Sequence, residues 1–469
     1  MFPLVEIPDI VQHYAPFFAP VFSPEALQQF QRYISGLIVS ENKTVDGINR
    51  LFVLDVRNQS SLNRLLTASP FSVDALNQAR LTLLQSLPGT QMKTKGVLSL
   101  DDTLLAHYGK QFDHIAYLYD SAQKCYVWAH NLVNLHYSDD QTDYPVAFRL
   151  WEPADLDTLE TGLTAAGVTM RQSKGGLKDS EPKKWRQYLL GLWRRHQHKP
   201  EVQKLYQSKL LLAQQLLSDF FTTRPHNTFP VTFDNWYTQP AFCRFLDKTL
   251  KVPYVGTLAG DDLVVLQQDH QRLEAFDAHL QQEHHQAIKE GARPIFHKLS
   301  IPYKGAQETY YSYCKTHHIH NFGKQRLVIN HRKADLSDSA AYFICNKLQW
   351  QAGGITRIRR HRWPVEVYHE EGKADGLDQY QVRDFEAISR HSALVAVTYS
   401  LLRAAQHDEA LLHKLQRHVQ TTLDGSAGSW RRNTQAHALW TLATFIAAGL
   451  AQGQTLQDVM EPLVAVFAS

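Results

Sequence analysis

The segment Arg362–Lys373 reads RWPVEVYHEEGK, and its spacing is the strongest constraint that the sequence places on the fold. Glu366 follows Arg362 by four residues and precedes Lys373 by seven, so at about 100° per residue the three side chains share one stripe of a helix. Arg359 lies seven residues before Glu366 and is predicted on the same stripe. The spacing therefore predicts a helix face on which a carboxylate lies among cations, which suits a divalent metal ion beside phosphate groups.

Further acids follow predicted strands upstream. Val97–Leu100 leads into Asp101 and Asp102, and Phe229–Phe233 leads into Asp234. Neighbouring strand residues point to opposite faces, so Asp101 and Asp102 are not expected to face one site together. A lone aspartate after a strand usually caps a turn, and a lone glutamate on a helix can simply pair with an arginine four residues away. These acids are informative only as a set.

The pattern Arg-x3-Glu-x6-Lys resembles the Y-R-E-K signature of bacterial insertion-sequence transposases of the DDE type. In that family a tyrosine lies three residues before the arginine. Arg359 takes that position here, from which an arginine could still contact a phosphate. The resemblance extends to Gly376–Arg383 and to the helix-like segment Ala387–Ala405.

The resemblance implies the chemistry and the partners. Asp101, rather than Asp102, would act with Asp234 and Glu366 as the catalytic carboxylates that hold two Mg²⁺ ions, for which Mn²⁺ can substitute. The expected reaction cleaves the ends of an insertion element and joins them to target DNA through a hairpin intermediate. The expected substrate is double-stranded DNA, both the terminal inverted repeats and the target, bound by a homodimer at the nucleoid in the bacterial cytoplasm.

The order of predicted elements indicates an α/β fold with a ribonuclease H-like catalytic core. Strands are predicted at Tyr126–Tyr137 and Tyr144–Trp151 between the first two aspartates, and at Tyr254–Leu258 after the second. We expect a β-rich insertion in this core and helical regions at both ends of the chain. The predicted divisions are 1–90, helical; 91–260, the first part of the core; 261–350, the insertion; and 351–469, the helix of Glu366 and a helical C-terminal region.

Residues 1–90 read as a series of helices. Ser23 is a start signal for the first of them, and Thr44–Phe52, Ser60–Leu66 and Val73–Leu87 follow. Arg50, Arg57, Arg64 and Arg80 lie among them. The resemblance to insertion-sequence transposases implies that such a helical module could bind the terminal inverted repeats. A helical subdomain that packs on the core without contacting DNA explains the pattern equally well.

The chain between Asp234 and Glu366 is rich in predicted strands. A helix is predicted at Leu266–Lys289, and strands follow at Ile295–Tyr303, Thr309–Lys315, Ile319–His331 and Tyr342–Cys345. The block resembles the insertion domain of the hairpin-forming transposase branch. Trp350 at its end is a candidate for stacking on a base extruded from distorted DNA, and a tryptophan of the core is at least as good an interpretation.

A basic segment lies at residues 171–200 within the first part of the core. The residues expected to contact DNA phosphates there are Lys183, Lys184, Arg186, Arg194 and Arg195, and near Glu366 they are Arg359, Arg362 and Lys373. The tryptophans of the segment, Trp185 and Trp193, could equally dock on the core. A solvated face without DNA contact is the alternative for the cations.

Composition excludes several classes of protein. The 469 residues carry a formal net charge of +3, which is no sign of nucleic-acid binding by itself, and 43% are hydrophobic, enough for a substantial core. The four cysteines are widely spaced, which favours reduced thiols over disulfides or a zinc site. No signal peptide is indicated, and the apolar segment Ala438–Ala451 is short enough that we expect a buried helix rather than a membrane span.

Two other functions remain compatible with these patterns. A structure-selective nuclease on the same core would cut DNA strands without joining them. A domesticated transposase would only bind DNA, although the presence of all three acids argues against that interpretation.

Overall fold

A continuous mixed sheet runs through the part of the chain that the structure describes. The structure is a computed structural model, and it describes residues 2–170, 178, 181–267, 269–416 and 425–467. Arg171 and Lys174 of the basic segment lie outside the described residues.

The N-terminal region is helical at the predicted positions. Its helices are α1 (Asp9–Tyr14), a 3-10 helix (Ala15–Val21), α2 (Pro24–Val39), α3 (Val45–Arg50), α4 (Ser60–Thr67) and α5 (Val73–Ser86). Ser23, Thr44 and Ser72 each accept a hydrogen bond from the first turn of the helix that follows. Arg80 is buried in α5, where its guanidinium donates to Ser400 Oγ at 2.8 Å, so it is not available to DNA.

The first six strands build the ribonuclease H-like core expected from the sequence. They are β1 (Val97–His107), β2 (Ala116–Asp120), β3 (Cys125–Ser138), β4 (Asp143–Trp151), β5 (Val231–Phe233) and β6 (Tyr254–Leu258). β3 pairs antiparallel with β1 and β4, and β5 lies parallel between β1 and β6. This order, β4-β3-β1-β5-β6, is that of the ribonuclease H-like fold. β2, absent from the sequence prediction, pairs with the first residues of β3.

Helices connect β4 to β5 and β5 to β6. They are α6 (Leu156–Ala165), α7 (Pro182–His196), α8 (Pro200–Gln203), α9 (Lys209–Thr223) and α10 (Pro240–Arg244), which continues as a π-helical segment (Phe245–Leu250). α9 packs on β3 and β4. α6, α7 and α8 enclose a small apolar cluster of their own, separate from the main core.

The insertion extends the core sheet instead of forming a separate one. Its elements are β7 (Leu263–Leu266), β8 (Asp269–Arg272), α11 (Leu273–Lys289), β9 (His297–Tyr303), β10 (Ala306–Ile319), β11 (Gly323–His331) and β12 (Ala341–Cys345). β12 pairs antiparallel with β6, and the sheet continues through β11, β10, β7 and β8. The helix predicted from Leu266 begins at Leu273, because Leu263–Leu266, with two β-branched valines, pairs with Asp269–Arg272 in the hairpin β7–β8.

The C-terminal part is helical, and one helix forms its centre. Its helices are α12 (Ala352–Arg360), α13 (Trp363–Ala374), α14 (Phe385–Ala405), α15 (Glu409–Gln416), α16 (Ala427–Ala451), α17 (Leu456–Val464) and a final 3-10 helix (Ala465–Phe467). α14 is buried on all sides along nearly its whole length, its polar residues included. It packs against α2, α4, α5, α16 and β4, so the two helical regions share one core.

The second half of α16 departs from the sequence prediction. Leu439, Trp440, Phe445 and Leu450 are between 37% and 53% exposed, so the expectation that the helix Ala438–Ala451 is buried is wrong for these residues. None of the described helices combines the length and apolar character that a membrane span requires.

Candidate active site

Asp101 and Asp234 lie side by side in the core sheet. β1 and β5 are adjacent parallel strands whose last paired residues are Leu100 and Phe233, so each aspartate is the next residue along its chain. Asp101 lies within β1, which continues to His107, and not at the strand end that the sequence predicts. Both carboxylates line one open groove of about 690 Å³. The register of the two strands therefore brings the first two predicted acids together.

The helix predicted to carry Arg359, Arg362 and Glu366 is in fact two helices. α12 ends one residue after Arg359, and α13 begins one residue after Arg362. Pro364 in the first turn of α13 has no N–H to donate to the preceding turn, which explains the break. Arg362 and Glu366 keep their predicted relation as N-cap and first-turn residues of α13. The single stripe is wrong for Arg359, which belongs to α12.

Arg362 lies between two of the three acids. Its Nη1 donates to Asp101 Oδ2 at 2.6 Å, and its Nη2 donates to Glu366 Oε1. The Arg362 side chain is 10% exposed, against 14% for Asp101 and 30% for Glu366. The guanidinium thus joins β1 to the first turn of α13. Glu366 does pair with the arginine four residues before it, but inside the site and not on a solvated face.

Burial controls the charge of the two aspartates. Removal from solvent raises the pKa of Asp101 to about 7, although Arg362 opposes this effect, and Asp234 raises the pKa further. Burial also raises the pKa of Asp234, while hydrogen bonds from the backbone N–H groups of Tyr237 and Trp236, and the charge of Arg362, lower it. The acids are therefore close enough to interact electrostatically as one set around Arg362.

Asp102 lines the same groove as Asp101, although the two were expected to face different sites. Its oxygens already have partners. Oδ2 pairs with Lys209 Nζ at 2.9 Å and accepts from Asn131 Nδ2 at 2.6 Å, and Oδ1 accepts from the Tyr237 hydroxyl at 2.9 Å. Asp102 therefore supports the walls of the groove, whereas Asp101 is the aspartate that Arg362 joins to Glu366.

Comparison with known families agrees with this geometry. Residues 16–274, more than half of the chain, match the family described as DDE superfamily endonuclease. The chain belongs to that family. The match includes Asp101 and Asp234 and ends before Glu366. No curated protein matches the chain in sequence. DDE superfamily endonucleases act on DNA and generally use divalent metal ions.

The acids of this DDE endonuclease are of the right chemical type for such an ion. Asp101, Asp234 and Glu366 provide carboxylate oxygens, the donors that Mg²⁺ prefers in proteins. Within the described ranges, no group of three or more His, Cys, Asp or Glu side chains is arranged to hold a metal ion. Arg362 instead bridges Asp101 and Glu366. The three acids thus match a hard divalent cation in the type of their donor atoms.

The other arginines before Glu366 make contacts within the endonuclease. Arg359 Nε donates to Thr257 Oγ1 at 2.9 Å, and burial, with a smaller effect of Arg362, lowers the pKa of Arg359 to about 10. Arg360 makes two hydrogen bonds of 2.7 Å to a glutamate of β10, and Arg357 pairs at 2.9 Å with an aspartate of the β3–β4 turn. The charges of Arg357 and Arg360, at the C-terminal end of α12, are thus neutralised by acidic residues of the protein itself.

The position of Lys373 fits its expected contact with DNA phosphates better than the positions of these arginines do. It lies on α13 with Glu366 and lines the groove together with Asp101 and Asp234. Among the residues that the structure covers, no carboxylate lies within ion-pair distance of its Nζ. The structure therefore leaves this cation available at the groove.

Two residues of the groove were missed by the sequence analysis. Trp236, two residues after Asp234, is 42% exposed and lines the groove. Lys209 Nζ lies 4.0 Å from the centroid of its indole ring. Trp236 could have been predicted at the site, because it lies two residues after a candidate acid. Lys209 begins α9, far from either aspartate in sequence, so no sequence feature indicated that it lies in the groove.

Trp350 lies in a hydrophobic cluster and not in the groove. Its side chain is half-buried against residues of α12 and of strands β6, β11 and β12. Its carbonyl accepts a hydrogen bond from Arg326 Nε at 3.0 Å. The arrangement favours the interpretation of Trp350 as a core tryptophan.

Pro182–His196 of the basic segment forms the amphipathic helix α7. Trp185 and Trp193 are 3% exposed and pack inside the cluster of α6, α7 and α8, so they dock on the protein and not on DNA. The cations of α7 lie on the opposite side, where Lys183, Lys184, Arg194 and Arg195 are exposed and Arg186 is half-buried. Lys184 forms an ion pair with Glu181.

Replacement of Arg362 by alanine is expected to destabilise the protein by about 3 kcal/mol, because it leaves two partly buried carboxylates without their partner. Lys373→Ala, on the same helix, is the matched control and should change the free energy of unfolding by less than about 0.5 kcal/mol. Denaturant unfolding of both variants measures the difference. Equal stabilities would show that the Arg362 contacts do not hold β1 and α13 together.

Proposed function

We propose that this DDE endonuclease is an insertion-sequence transposase of the Y-R-E-K type, which cleaves the ends of its element and joins them to target DNA. The observation that carries the proposal is that Arg362 hydrogen-bonds to both Asp101 and Glu366, beside the groove that Asp101 shares with Asp234 at the ribonuclease H-like sheet. The hairpin-forming branch is supported by the spacing of Arg362, Glu366 and Lys373 and by a β-rich insertion between the second and third acids. An enzyme of this kind would meet its DNA at the nucleoid.

The three carboxylates would hold two Mg²⁺ ions, or Mn²⁺ in their place, which when bound would activate the attacking oxygen and stabilise the leaving one. Arg362 has a distinct part in this proposal. Bridging Asp101 and Glu366, it keeps two acids close together in the free protein. When the acids take other partners, its guanidinium is free to turn to a DNA phosphate, for which its paired N–H groups are suited.

The remaining cations of the groove would position the DNA strand. Lys373 projects beside Asp101 and Asp234, and Arg359 lies deeper, within electrostatic reach of all three acids. Trp363, 51% exposed, lines a second groove of about 350 Å³ together with Arg359 and Arg362. We assign the scissile phosphate to the region between these two grooves.

In the proposed sequence of steps, water first cleaves one strand and frees a 3′-hydroxyl at the element end. That hydroxyl attacks the opposite strand, so that a hairpin closes the element end and the flanking DNA leaves. Water opens the hairpin, and the same hydroxyl then attacks target DNA. Each step is a displacement at phosphorus, so one set of carboxylates serves all of them and no covalent protein intermediate is needed.

Joining of strands distinguishes this proposal from the two alternatives. A structure-selective nuclease with the same site would release cut ends and leave them free. A protein that only binds DNA would produce neither product. Incubation of pre-cleaved element ends with a supercoiled target plasmid, followed by analysis of joined products, separates the three.

Alanine at Asp101, Asp234 or Glu366 is expected to slow cleavage of an element end in Mg²⁺ by about a thousandfold or more, or about 4 kcal/mol in activation free energy. DNA affinity should remain largely unchanged, because phosphate contacts supply it. Asp120→Ala is the matched control, since Asp120 lines the same groove but lies outside the set. Cleavage by Asp234→Ala near the wild-type rate would remove that residue from the site.

The exposed cations of α7 are proposed to bind DNA without reading its sequence. Glutamine at Lys183, Lys184, Arg186, Arg194 and Arg195 should weaken binding to any duplex. It should also reduce the slope of log affinity against log salt by about 0.9 for each DNA phosphate that the variant no longer neutralises. Lys289→Gln with Arg293→Gln, two exposed cations at the end of α11, is the control. An unchanged slope in the α7 variant would identify the helix as a solvated face.

We further propose that the active form is a homodimer that uses the second half of α16. No Lys, Arg, Asp or Glu occurs between Arg432 and Asp458, and Leu439, Phe445 and Leu450 are exposed along this uncharged stretch. An apolar surface of this kind marks an interaction site, and its lack of charge fits a second copy of the same surface better than it fits DNA.

Glutamate at Leu439 and Leu450 should therefore convert the dimer to a monomer, because it places charges in an apolar contact. Sedimentation of the protein with a DNA element end measures the change. Val56→Glu, at an exposed apolar residue of the N-terminal region, should leave the assembly intact. A double variant that sediments like the wild type would exclude this surface.

A further inference from the structure

The hairpin of β2 and β3 carries four aromatic side chains on one face. Tyr117 lies directly opposite Trp128, and Tyr119 lies directly opposite Tyr126. The rings are in contact: the Tyr117 and Tyr126 rings stack with centroids 5.3 Å apart, Tyr117 and Trp128 lie 5.3 Å apart, and Tyr119 meets Tyr126 edge-on at 5.2 Å. We refer to these four residues as the aromatic ladder.

The ladder faces solvent, and the core lies on the other side of the hairpin. Tyr117, Tyr119 and Tyr126 are 57%, 54% and 52% exposed, whereas Leu118 between the first two packs towards the main core. Cross-strand aromatic pairs add roughly 0.2–1 kcal/mol each to a hairpin. That contribution does not require four neighbouring rings of which three are more than half exposed, and such a surface usually marks a binding site.

Cations flank the ladder on both sides. Lys110 Nζ lies 5.4 Å from the centroid of the Trp128 ring, and Lys183 Nζ, from the first turn of α7, lies 5.9 Å from that of Tyr126. The nearest acid, Asp120, directs its Oδ1 to the backbone N–H groups of the hairpin turn. Aromatic faces between cations are the combination by which proteins hold single-stranded nucleic acid, with bases on the rings and phosphates on the cations.

The ladder is continuous with the active-site groove. The groove that contains Asp101 and Asp234 is also lined by the hairpin residues Leu118–Gln123, and Tyr119 belongs to both the groove wall and the ladder. A strand that leaves the carboxylates along this groove therefore reaches the rings directly. Duplex DNA hides the faces of its bases, so only unpaired nucleotides could stack there.

We propose that the aromatic ladder binds unpaired nucleotides of the DNA strand displaced at the active site. The bases stack on Tyr117, Tyr119 and Tyr126, and Lys110 and Lys183 contact the phosphates between them. The inference rests on the proposed function in that it takes DNA as the substrate, and it adds a second contact surface outside the carboxylate set.

The test is the affinity of the full-length protein for a fluorescent oligothymidylate, measured by anisotropy. Tyr117→Ala with Tyr126→Ala should weaken binding by about tenfold or more, because each stacked base contributes about 1–3 kcal/mol. Tyr117→Phe with Tyr126→Phe keeps the rings and should bind like the wild type. Tyr108→Ala removes a fully exposed tyrosine from the end of β1, outside the ladder, and should have no effect.

The outcomes separate a binding role from a structural one. Wild-type affinity in the double alanine variant overturns the proposal, as does an equal loss in the phenylalanine variant, which would show that the rings do not carry the binding. If the alanine variant melts at a lower temperature, single variants at Tyr117 and Tyr119 that retain the wild-type melting temperature decide the question by the same measurement.

A cleavage and joining assay on the same proteins keeps this proposal separate from the proposed function. A wild type that neither cuts nor joins DNA, but binds the oligonucleotide through the rings, would end the transposase proposal and leave the ladder standing. A wild type that cuts and joins, with ladder variants of unchanged affinity, would do the reverse. Asp101→Ala should retain full affinity for the oligonucleotide, because the ladder lies outside the carboxylates.

Discussion

Pairing of β12 with β6 is the interaction on which the placement of the active site depends. Tyr342–Cys345 run antiparallel to Val255–Leu258, so the chain that leaves the core after the second aspartate returns to the same sheet before it forms α12 and α13. Closing so long an excursion has an entropic cost, which the continuous sheet offsets through backbone hydrogen bonds and buried strands. Glu366 then follows within two short helices, and α13 packs on β1, β3 and β4.

A second set of contacts keeps the insertion from moving relative to the core. Lys304, in the turn between β9 and β10, pairs with the buried Asp143 of β4 at 3.0 Å, and Asp143 also pairs with Arg403 and accepts from the Tyr399 hydroxyl of α14 at 2.7 Å. Insertion, core and C-terminal helices therefore meet at one carboxylate. Arg431 of α16 makes a similar link to α13 through Glu371 and Asp375. Together these contacts connect the insertion, the core and the C-terminal helices, from which the active site is assembled.

The sequence predicted the elements better than it predicted their side-chain partners. Capped helices, the order of the core and the position of Asp234 directly after a strand could be predicted locally, because apolar periodicity and capping residues act over a few positions. The continuation of β1 beyond Asp101 could not. The break before α13 was missed although Pro364 marks it, because the spacing of Arg359, Arg362 and Glu366 also fits one continuous helix. The bridge made by Arg362 and the contact of Lys209 with Asp102 could not be predicted, since both depend on tertiary neighbours. The contact of Arg359 with Thr257 could not be predicted for the same reason.

The burial of α14 has a consequence for the order in which the protein is made. The helices α2, α4 and α5 leave the ribosome well before α14, yet α14 covers their apolar faces. At roughly 5–20 residues per second, the first helices wait on the order of tens of seconds for their partner. During that interval the nascent chain exposes apolar surface close to its own messenger RNA. Until α14 is made, these helices lack the partner that covers their apolar faces, and in that interval they are open to aggregation and to chaperones.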